Sequence, residues 1–239
     1  MPLVAAYHRP TTIADALALL SEPNRVALAG GTSVNADREP SDIEVVDLQA
    51  LGLGGIDETG ARLRLGATTT LAELTQSEVV PELIGRMARI ESPSTLRTLA
   101  TVGGTVAGGD ADSVLLAALL VHDARVELEG ADNMSLAETL ADGVPAGSLV
   151  SAVSIDPGGD GSYAATGRTP ADVPIVAALA LLVDGSPVVA LTGVSSTPVI
   201  VDAADPTAGL DPAGDFRGST EYRLALVATL TARVVGDIG

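Results

Sequence analysis

The organisation of this chain of 239 residues depends on two glycine-containing stretches, Leu28-Ala29-Gly30-Gly31-Thr32-Ser33 and Thr101-Val102-Gly103-Gly104-Thr105-Val106. Each follows an apolar run and places a glycine pair where the chain is expected to turn. Glycine lets another group approach the backbone closely, because it has no Cβ. Successive amides in such a turn form a concave site for an anion. Neither stretch fits the GxGxxG or GxxxxGK[ST] pattern, so an ordinary structural turn stays an alternative for each.

The composition excludes several classes of protein. Thirteen basic against 31 acidic residues give a net charge of −18, which argues against a nucleic-acid or anionic-membrane partner. All thirteen basic residues are arginine, so a mechanism that needs lysine is excluded. The absence of cysteine excludes a disulfide, a thiolate nucleophile and an iron–sulfur cluster of its own. Two histidines, His8 and His122, are too few for a zinc site, and no metal is predicted.

The hydrophobic content of 46% raises the question of a membrane span. The longest uncharged apolar runs are 114–121 and 173–183, whereas a spanning helix needs about 20 apolar residues. The amino-terminal stretch lacks a basic start before a long apolar segment, so no signal peptide is expected. The sequence therefore predicts a soluble, cytoplasmic protein.

Hydrophobic periodicity and turn residues divide the chain into three units of mixed α+β structure, at 1–55, 56–158 and 159–239. Strands are predicted at 25–29, 45–48, 62–66, 125–129, 149–155, 178–183 and 188–194. Helices are predicted at 13–20, 81–90, 112–120 and 219–235, and capping boxes mark two further helix starts at Thr70–Glu73 and Ser135–Glu138. The glycine-rich stretch 157–161 is predicted to be a hairpin turn.

Six elements follow one another in a recognisable order. They are 29–33 with 46–48 (AGGTS and VDL), 65–69 (LGATT), 93–104 (PSTLRTLATVGG), 111–119 (ADSVLLAAL), 168–177 (R…D…A) and 217–223 (RGSTEYR). Together they span nearly the whole chain. In this order the sequence resembles the FAD-binding medium subunits of molybdenum hydroxylases, of the carbon monoxide dehydrogenase and xanthine dehydrogenase type.

The resemblance implies an α+β fold of the FAD-binding (PCMH) type. A small α/β subdomain would be followed by an antiparallel sheet with helices and by a C-terminal antiparallel sheet with helices. FAD would lie between the first two, with its pyrophosphate held by Ala29, Gly30, Gly31, Thr32, Ser33, Val34, Thr101, Gly103, Gly104 and Thr105. Asp112 is expected either near the adenosine end of FAD or as a helix cap. Tyr163, Arg168 and Asp172 are expected around the flavin ring.

The resemblance also implies an oxidoreductase subunit and its partners. Substrate would be oxidised on a large molybdopterin-binding subunit, and electrons would pass through the 2Fe-2S clusters of a small subunit to FAD and then to an external acceptor. A homodimer is one expected state of the isolated chain. The chain itself would position FAD and tune its potential, so no residue of it is expected to be catalytic.

Three differences from the family pattern keep a second function open. Thr105 replaces an Asn after the second glycine pair, and 163–165 replaces a Tyr-x-Lys element near the flavin, where Arg168 is a candidate for the missing charge. The stretch 35–39 is shorter and more acidic than is usual in the family. The alternative is a non-catalytic scaffold or partner-binding protein of the same fold, with weak or lost FAD binding.

Overall fold

Three sheets follow one another along the chain, each with its own helices. The computed structural model describes residues 4–34, 42–169 and 172–239. The acidic stretch 35–39 lies outside the described residues. The first, second and third units below are the elements around each of the three sheets.

The first unit is a small parallel sheet with one helix. Its elements are β1 (Ala6–His8), α1 (Ile13–Leu20), β2 (Arg25–Leu28), β3 (Glu44–Asp47) and a short 3-10 helix (Gln49–Leu51). The strand order is β1-β3-β2, and both pairings are parallel. The predicted threonine cap of α1 is confirmed, because the Thr12 side chain accepts a hydrogen bond from the Asp15 amide at 3.1 Å.

The second unit is an antiparallel five-stranded sheet that carries six helices among the described residues. Its strands, in the order β4-β5-β8-β6-β7, are β4 (Ile56–Thr59), β5 (Arg62–Gly66), β6 (Arg125–Glu129), β7 (Met134–Ser135) and β8 (Leu149–Ile155). Its helices are α2 (Leu71–Gln76), α3 (Glu82–Glu91), α4 (Ser94–Arg97), α5 (Val102–Gly108), α6 (Val114–Val121) and α7 (Leu136–Asp142). Both capping boxes are confirmed at the starts of α2 and α7.

The third unit is an antiparallel four-stranded sheet covered by the last helix. Its elements are β9 (Gly161–Thr166), β10 (Val176–Val183), β11 (Ser186–Thr192), β12 (Val199–Val201) and α8 (Thr220–Asp237), with the strand order β12-β11-β10-β9. Asp184 and Gly185 join β10 to β11 with φ angles of 49° and 77°, the left-handed geometry of a tight hairpin. The α+β fold class is therefore confirmed, with antiparallel second and third sheets.

The predicted hairpin at 157–161 is wrong. This stretch joins β8 to β9, but β8 pairs with β5 and β6 whereas β9 pairs with β10 of the next sheet. The turn therefore carries the chain from one sheet to another. A glycine-rich turn between two apolar runs looks the same in both situations, because the local sequence does not state which strands pair.

The second and third units share one apolar core. All eight residues of α6 are buried, and α6 packs against α3 on one side and against β10 and β11 on the other. Core residues of the two units, such as Leu116 and Leu179, belong to the same cluster. Among the described residues, none of the first unit belongs to this cluster or to the smaller one beneath α8. No helix in the described part of the chain is long and apolar enough to cross a membrane.

His122 ends α6, as expected for a histidine at a helix C-terminus, but its environment disfavours the charged form. The ring is buried, and its Nδ1 donates to the Asp156 carbonyl at 2.8 Å. Burial lowers the pKa of His122 below its ordinary value. As the pH falls, His122 is therefore protonated in the unfolded chain, at about pH 6.5, before it is protonated in the folded protein. The stability that the neutral His122 contributes above that pH is lost below it.

We expect the His122→Asn variant to lose this part of the pH dependence. The asparagine amide keeps a donor near the position of Nδ1 but does not titrate. Urea unfolding of both proteins between about pH 8 and about pH 5 measures the difference, and wild type should show the steeper loss. Equal slopes in the two proteins would contradict a neutral, buried His122.

Candidate functional site

The first glycine stretch leaves β2 and lies against the second unit at Gly30. A Cβ at Gly30 would stand 1.6 Å from the Leu99 carbonyl oxygen and 2.5 Å from its carbon. Gly31 has a φ of 71°, in the left-handed region that favours glycine. The glycine pair therefore has two separate roles: Gly30 allows contact with another part of the backbone, and Gly31 allows the turn.

The amides of this stretch have no acceptor among the described residues. Among the hydrogen bonds between described residues, none uses the backbone N–H groups from Gly30 to Val34. Buried or half-buried amides in folded proteins nearly always find an acceptor. A run of amides without an acceptor, next to a cavity, is the arrangement that the sequence predicts for an anion site.

The second glycine stretch differs from the prediction. Gly103 and Gly104 lie in the first turn of α5, whose N-cap is Thr101, so they do not form a separate turn. The amide of Gly103 donates to the Ala67 carbonyl at 2.8 Å, and that of Gly104 donates to the Thr101 hydroxyl at 3.2 Å. The predicted turn is wrong because Thr101 supplies a cap and the helix continues through both glycines. Because neither glycine has a side chain, the pair exposes bare backbone to a ligand.

Thr105 also uses its donor internally. Its hydroxyl donates to the Thr101 carbonyl at 3.0 Å, one helical turn earlier. The hydroxyl can still accept a hydrogen bond, but it has no second proton to donate. The replacement of an asparagine amide by this hydroxyl therefore removes a donor from the second stretch.

One cavity joins the two stretches. It has a volume of about 110 Å³ and lies between the first and second units. Its lining residues are small or apolar except Ser148; those from the two stretches and the helix that follows are Ala29, Gly103, Gly104 and Ala107. The structure thus brings together residues 74 positions apart, Ala29 and Gly103. On one wall the two glycines leave the backbone bare, and on the other wall Ala29 is the residue of the first stretch that lines the cavity.

Three other predicted site residues meet in a second place. Asp112, Arg168 and Asp172 line a cavity of about 440 Å³ between the second and third units. Asp172 accepts a hydrogen bond from the Thr169 amide at 3.0 Å, which fixes the loop after β9. Asp112, expected near the adenosine end of FAD or as a helix cap, shares this cavity with two residues expected around the ring.

Asp112 is not the cap of α6. Ser113 is the N-cap and accepts from the Leu116 amide at 3.1 Å. The Asp112 carboxylate instead accepts a hydrogen bond from Arg217 at 2.9 Å. The residues 110–113 contain three polar side chains that can each cap a helix, so the local sequence does not choose among them. The choice depends on Arg217, which lies 105 positions away.

Tyr163 lies on β9 with a cation over its ring. The Arg86 guanidinium of α3 stands 5.3 Å from the ring centroid, a distance typical of a cation–π contact. Burial raises the pKa of the Tyr163 hydroxyl. Arg168, the predicted substitute for the absent lysine, is exposed and lines the neighbouring cavity. Sequence reasoning missed Arg86, because nothing near it in the sequence indicates which ring it covers.

A network of charges around the buried Arg223 supports the second cavity and was also missed. Asp215 accepts from Arg223 at 2.8 Å and from Arg217 at 3.0 Å, and Arg217 in turn holds Asp112. The two guanidiniums, Arg223 first and then Arg217, hold the pKa of Asp215 well below its usual range. The network therefore connects the loop before α8 to the start of α6.

Glu91 is a half-buried acid that the sequence did not reveal. Its carboxylate accepts from the Leu115 amide at 3.0 Å, at the N-terminus of α6. Burial raises the pKa of Glu91. The start of α6 is therefore occupied by a side chain of the protein itself.

Comparison with known proteins agrees with this architecture. Residues 3–155, more than half of the chain, match the family described as the FAD binding domain in molybdopterin dehydrogenase. The chain is 31% identical to the carbon monoxide dehydrogenase medium chain of Afipia carboxidovorans, over 96% of this chain and 94% of the relative. It is 32% identical to the xanthine dehydrogenase FAD-binding subunit of Escherichia coli O157:H7, over 52% of this chain and 46% of the relative.

A solved structure is similar over nearly the full length. A chain of the reconstituted CO dehydrogenase from Oligotropha carboxidovorans superposes with a TM-score of 0.87 and 28% identity, covering 98% of this chain and 96% of that one. The relatives are oxidoreductase subunits. The order of motifs in the sequence had indicated the same group, and that prediction is confirmed. The chain belongs to the FAD-binding family of the molybdopterin dehydrogenases.

Proposed function

We propose that this chain binds FAD between its first and second units and transfers electrons within a molybdenum hydroxylase. A small partner subunit with 2Fe-2S clusters would deliver the electrons, and a large molybdopterin-binding subunit would oxidise the substrate. The observation that carries the proposal is the cavity in which Ala29, at the start of the first glycine stretch, meets Gly103 and Gly104 of the second. Bound FAD would supply the redox chemistry, since no side chain of this protein can.

The two glycine stretches have unequal tasks in this proposal. The amides from Gly30 to Val34, with the hydroxyls of Thr32 and Ser33, would donate hydrogen bonds to the pyrophosphate. Thr101, Gly103, Gly104 and Thr105 would instead form the wall against which the phosphates pack, because the amides of the last three and the Thr105 hydroxyl are already engaged. Backbone amides can contact a phosphate without a lysine, and this chain, with a net charge of −18, contains no lysine.

The flavin ring would lie toward the third unit. Tyr163, Arg168 and Asp172 would surround it, and Asp112 would lie with them, since it shares a cavity with Arg168 and Asp172. The subdomain boundaries proposed for this arrangement are 1–55, 56–158 and 159–239.

The substitution Gly103→Ala tests the glycine wall. The new Cβ would lie 2.7 Å from the Ala67 Cβ and 2.9 Å from the Ala67 carbonyl oxygen, so α5 must shift away from β5. We expect the affinity for FAD to fall by about tenfold or more, a loss of about 1.4 kcal/mol. Titration with FAD, followed by flavin fluorescence, measures the change.

Gly108→Ala is the matched control for this prediction. Gly108 is in the same helix, but no heavy atom stands within 4 Å of the position that its Cβ would take. Its FAD affinity should equal that of wild type. If folded Gly103→Ala protein also binds FAD like wild type, the wall is not part of the cofactor site.

The alternative, a scaffold with weak or lost FAD binding, has specific support. The donors of Gly103, Gly104 and Thr105 are consumed within the protein, and no lysine follows Tyr163. Titration of the purified chain with FAD and with FMN separates the two functions. Saturable one-to-one binding of FAD, with FMN much weaker, supports the pyrophosphate site. A well-folded chain that binds neither, alone or with the partner subunits, supports the scaffold.

A further inference from the structure

The twelve arginines in the described part of the chain fall into two groups. Seven form ion pairs with described carboxylates; they are Arg9, Arg25, Arg62, Arg64, Arg125, Arg217 and Arg223. Five others form none with any carboxylate in the described part of the chain; they are Arg86, Arg89, Arg97, Arg168 and Arg233. With 31 acidic residues against 13 arginines, acids are abundant, so the division is not caused by a shortage of carboxylates.

All five arginines of the second group line adjoining cavities between the second and third units. The cavity of about 440 Å³ contains Arg168, a cavity of about 690 Å³ contains Arg89 and Arg97, and one of about 350 Å³ contains Arg86 and Arg233. Asp172 lines all three, so they adjoin one another, and together they are called the groove below. Arg89 and Arg97 donate to the Thr75 and Ser92 carbonyls, which leaves Arg86, Arg168 and Arg233 as the more available cations.

In the cavity at the Tyr163 end of the groove, arginines outnumber carboxylates. Arg86 reaches this cavity from α3 and Arg233 from α8. The one carboxylate on its wall, Asp172, already accepts a hydrogen bond from the Thr169 amide. Two guanidiniums from different helices therefore share a cavity of about 350 Å³ with a single acid. The other two cavities carry more acids than arginines, so an anion would be repelled there.

We propose that the cavity of Arg86 and Arg233 binds the phosphate or carboxylate group of a small ligand. Guanidinium groups match the geometry of both anions with paired N–H donors. The Tyr163 ring holds Arg86 in place from one side, so less side-chain freedom is lost when the anion binds. The anion has two sources to distinguish: a phosphate of FAD, which would contradict the pyrophosphate position proposed above, or a second, independent anionic compound.

This site does not depend on the glycine cavity. The two share no lining residue. Failure of FAD binding at the glycine stretches therefore leaves the arginine site intact, and each is tested with its own variant.

The test is a calorimetric titration of the full chain with inorganic pyrophosphate at low salt. We expect Arg86→Gln and Arg233→Gln each to weaken binding at this site by about tenfold or more. Arg125→Gln is the matched control, because it removes the same charge from an exposed arginine, 63% accessible, outside the groove. If both groove variants bind pyrophosphate as tightly as the Arg125→Gln control, the proposal is overturned.

A second arm identifies the source of the anion. The titration is repeated on protein saturated with FAD, and FAD affinity is measured for the same variants. If FAD prevents pyrophosphate binding and Arg86→Gln weakens FAD, the arginines hold a phosphate of FAD. If pyrophosphate still binds and FAD affinity is unchanged, the site takes a separate anionic ligand. Both results support an anion site at Arg86 and Arg233.

Discussion

Replacing Gly30 by alanine is expected to reduce FAD affinity by about 100-fold or more, a loss of about 2.7 kcal/mol or more. The new Cβ would stand 1.6 Å from the Leu99 carbonyl oxygen, a distance that no pair of these atoms tolerates. The Leu99 backbone cannot move freely, since the amides of Leu99 and Ala100 both donate to the Leu96 carbonyl. The first unit must therefore move away from the second, and the cavity between them opens.

The structure gives a different reason from the sequence for the loss of FAD affinity on substitution of Gly30. A side chain at Gly30 appears from the sequence to block a phosphate, whereas in the structure it meets the backbone of another unit. Overpacking of this kind costs about 1–3 kcal/mol of stability. Because no described residue of the first unit belongs to the shared core, the second and third units should stay folded.

Two measurements test the Gly30→Ala variant together. Flavin fluorescence gives the FAD affinity, and circular dichroism with urea unfolding shows whether the main core is retained. Gly85→Ala is the control, because its Cβ would lie 3.6 Å from the nearest atom, an ordinary contact. An affinity within about threefold of wild type in folded Gly30→Ala protein would show that the Leu99 contact does not set the cofactor site.

Replacing Arg223 by methionine is expected to cause the largest loss of stability, about 3 kcal/mol or more. Its guanidinium is only 3% exposed and donates to three acceptors: the Ile175 carbonyl at 2.7 Å, the Gly193 carbonyl at 2.6 Å and Asp215 at 2.8 Å. Methionine fills a similar volume but donates no hydrogen bond. Two carbonyls lose their donor, and Asp215 loses the stronger of its two cations.

The Arg223→Lys variant separates charge from geometry. Lysine keeps the charge but lacks the planar fork that reaches three acceptors, so an intermediate loss is expected. Arg125→Met, on the exposed surface, should change stability by about 0.5 kcal/mol or less. Urea unfolding of the three variants and wild type measures the series. If Arg223→Met is no less stable than Arg125→Met, the buried network does not support the third unit.

Local structure followed from the sequence wherever neighbours along the chain decide it. The capping boxes at Thr70 and Ser135 and the strand at 149–155 were predicted at the residues where they occur. The two residues of a capping box are three positions apart, and side chains alternate between the two faces along a strand. The local sequence pattern is therefore enough to predict these elements. The family followed in the same way, because its motifs are short and occur in order.

Tertiary structure decided every feature whose cause lies far along the chain. The turn at 157–161 joins two sheets because β8 and β9 pair with different strands. Ser113 rather than Asp112 caps α6 because Arg217 holds Asp112 from another unit. Gly30 is required by Leu99, and the charge beside Tyr163 comes from Arg86. A sequence states which side chains exist and how their neighbours constrain them, but close contacts between distant segments arise only when packing brings those segments together.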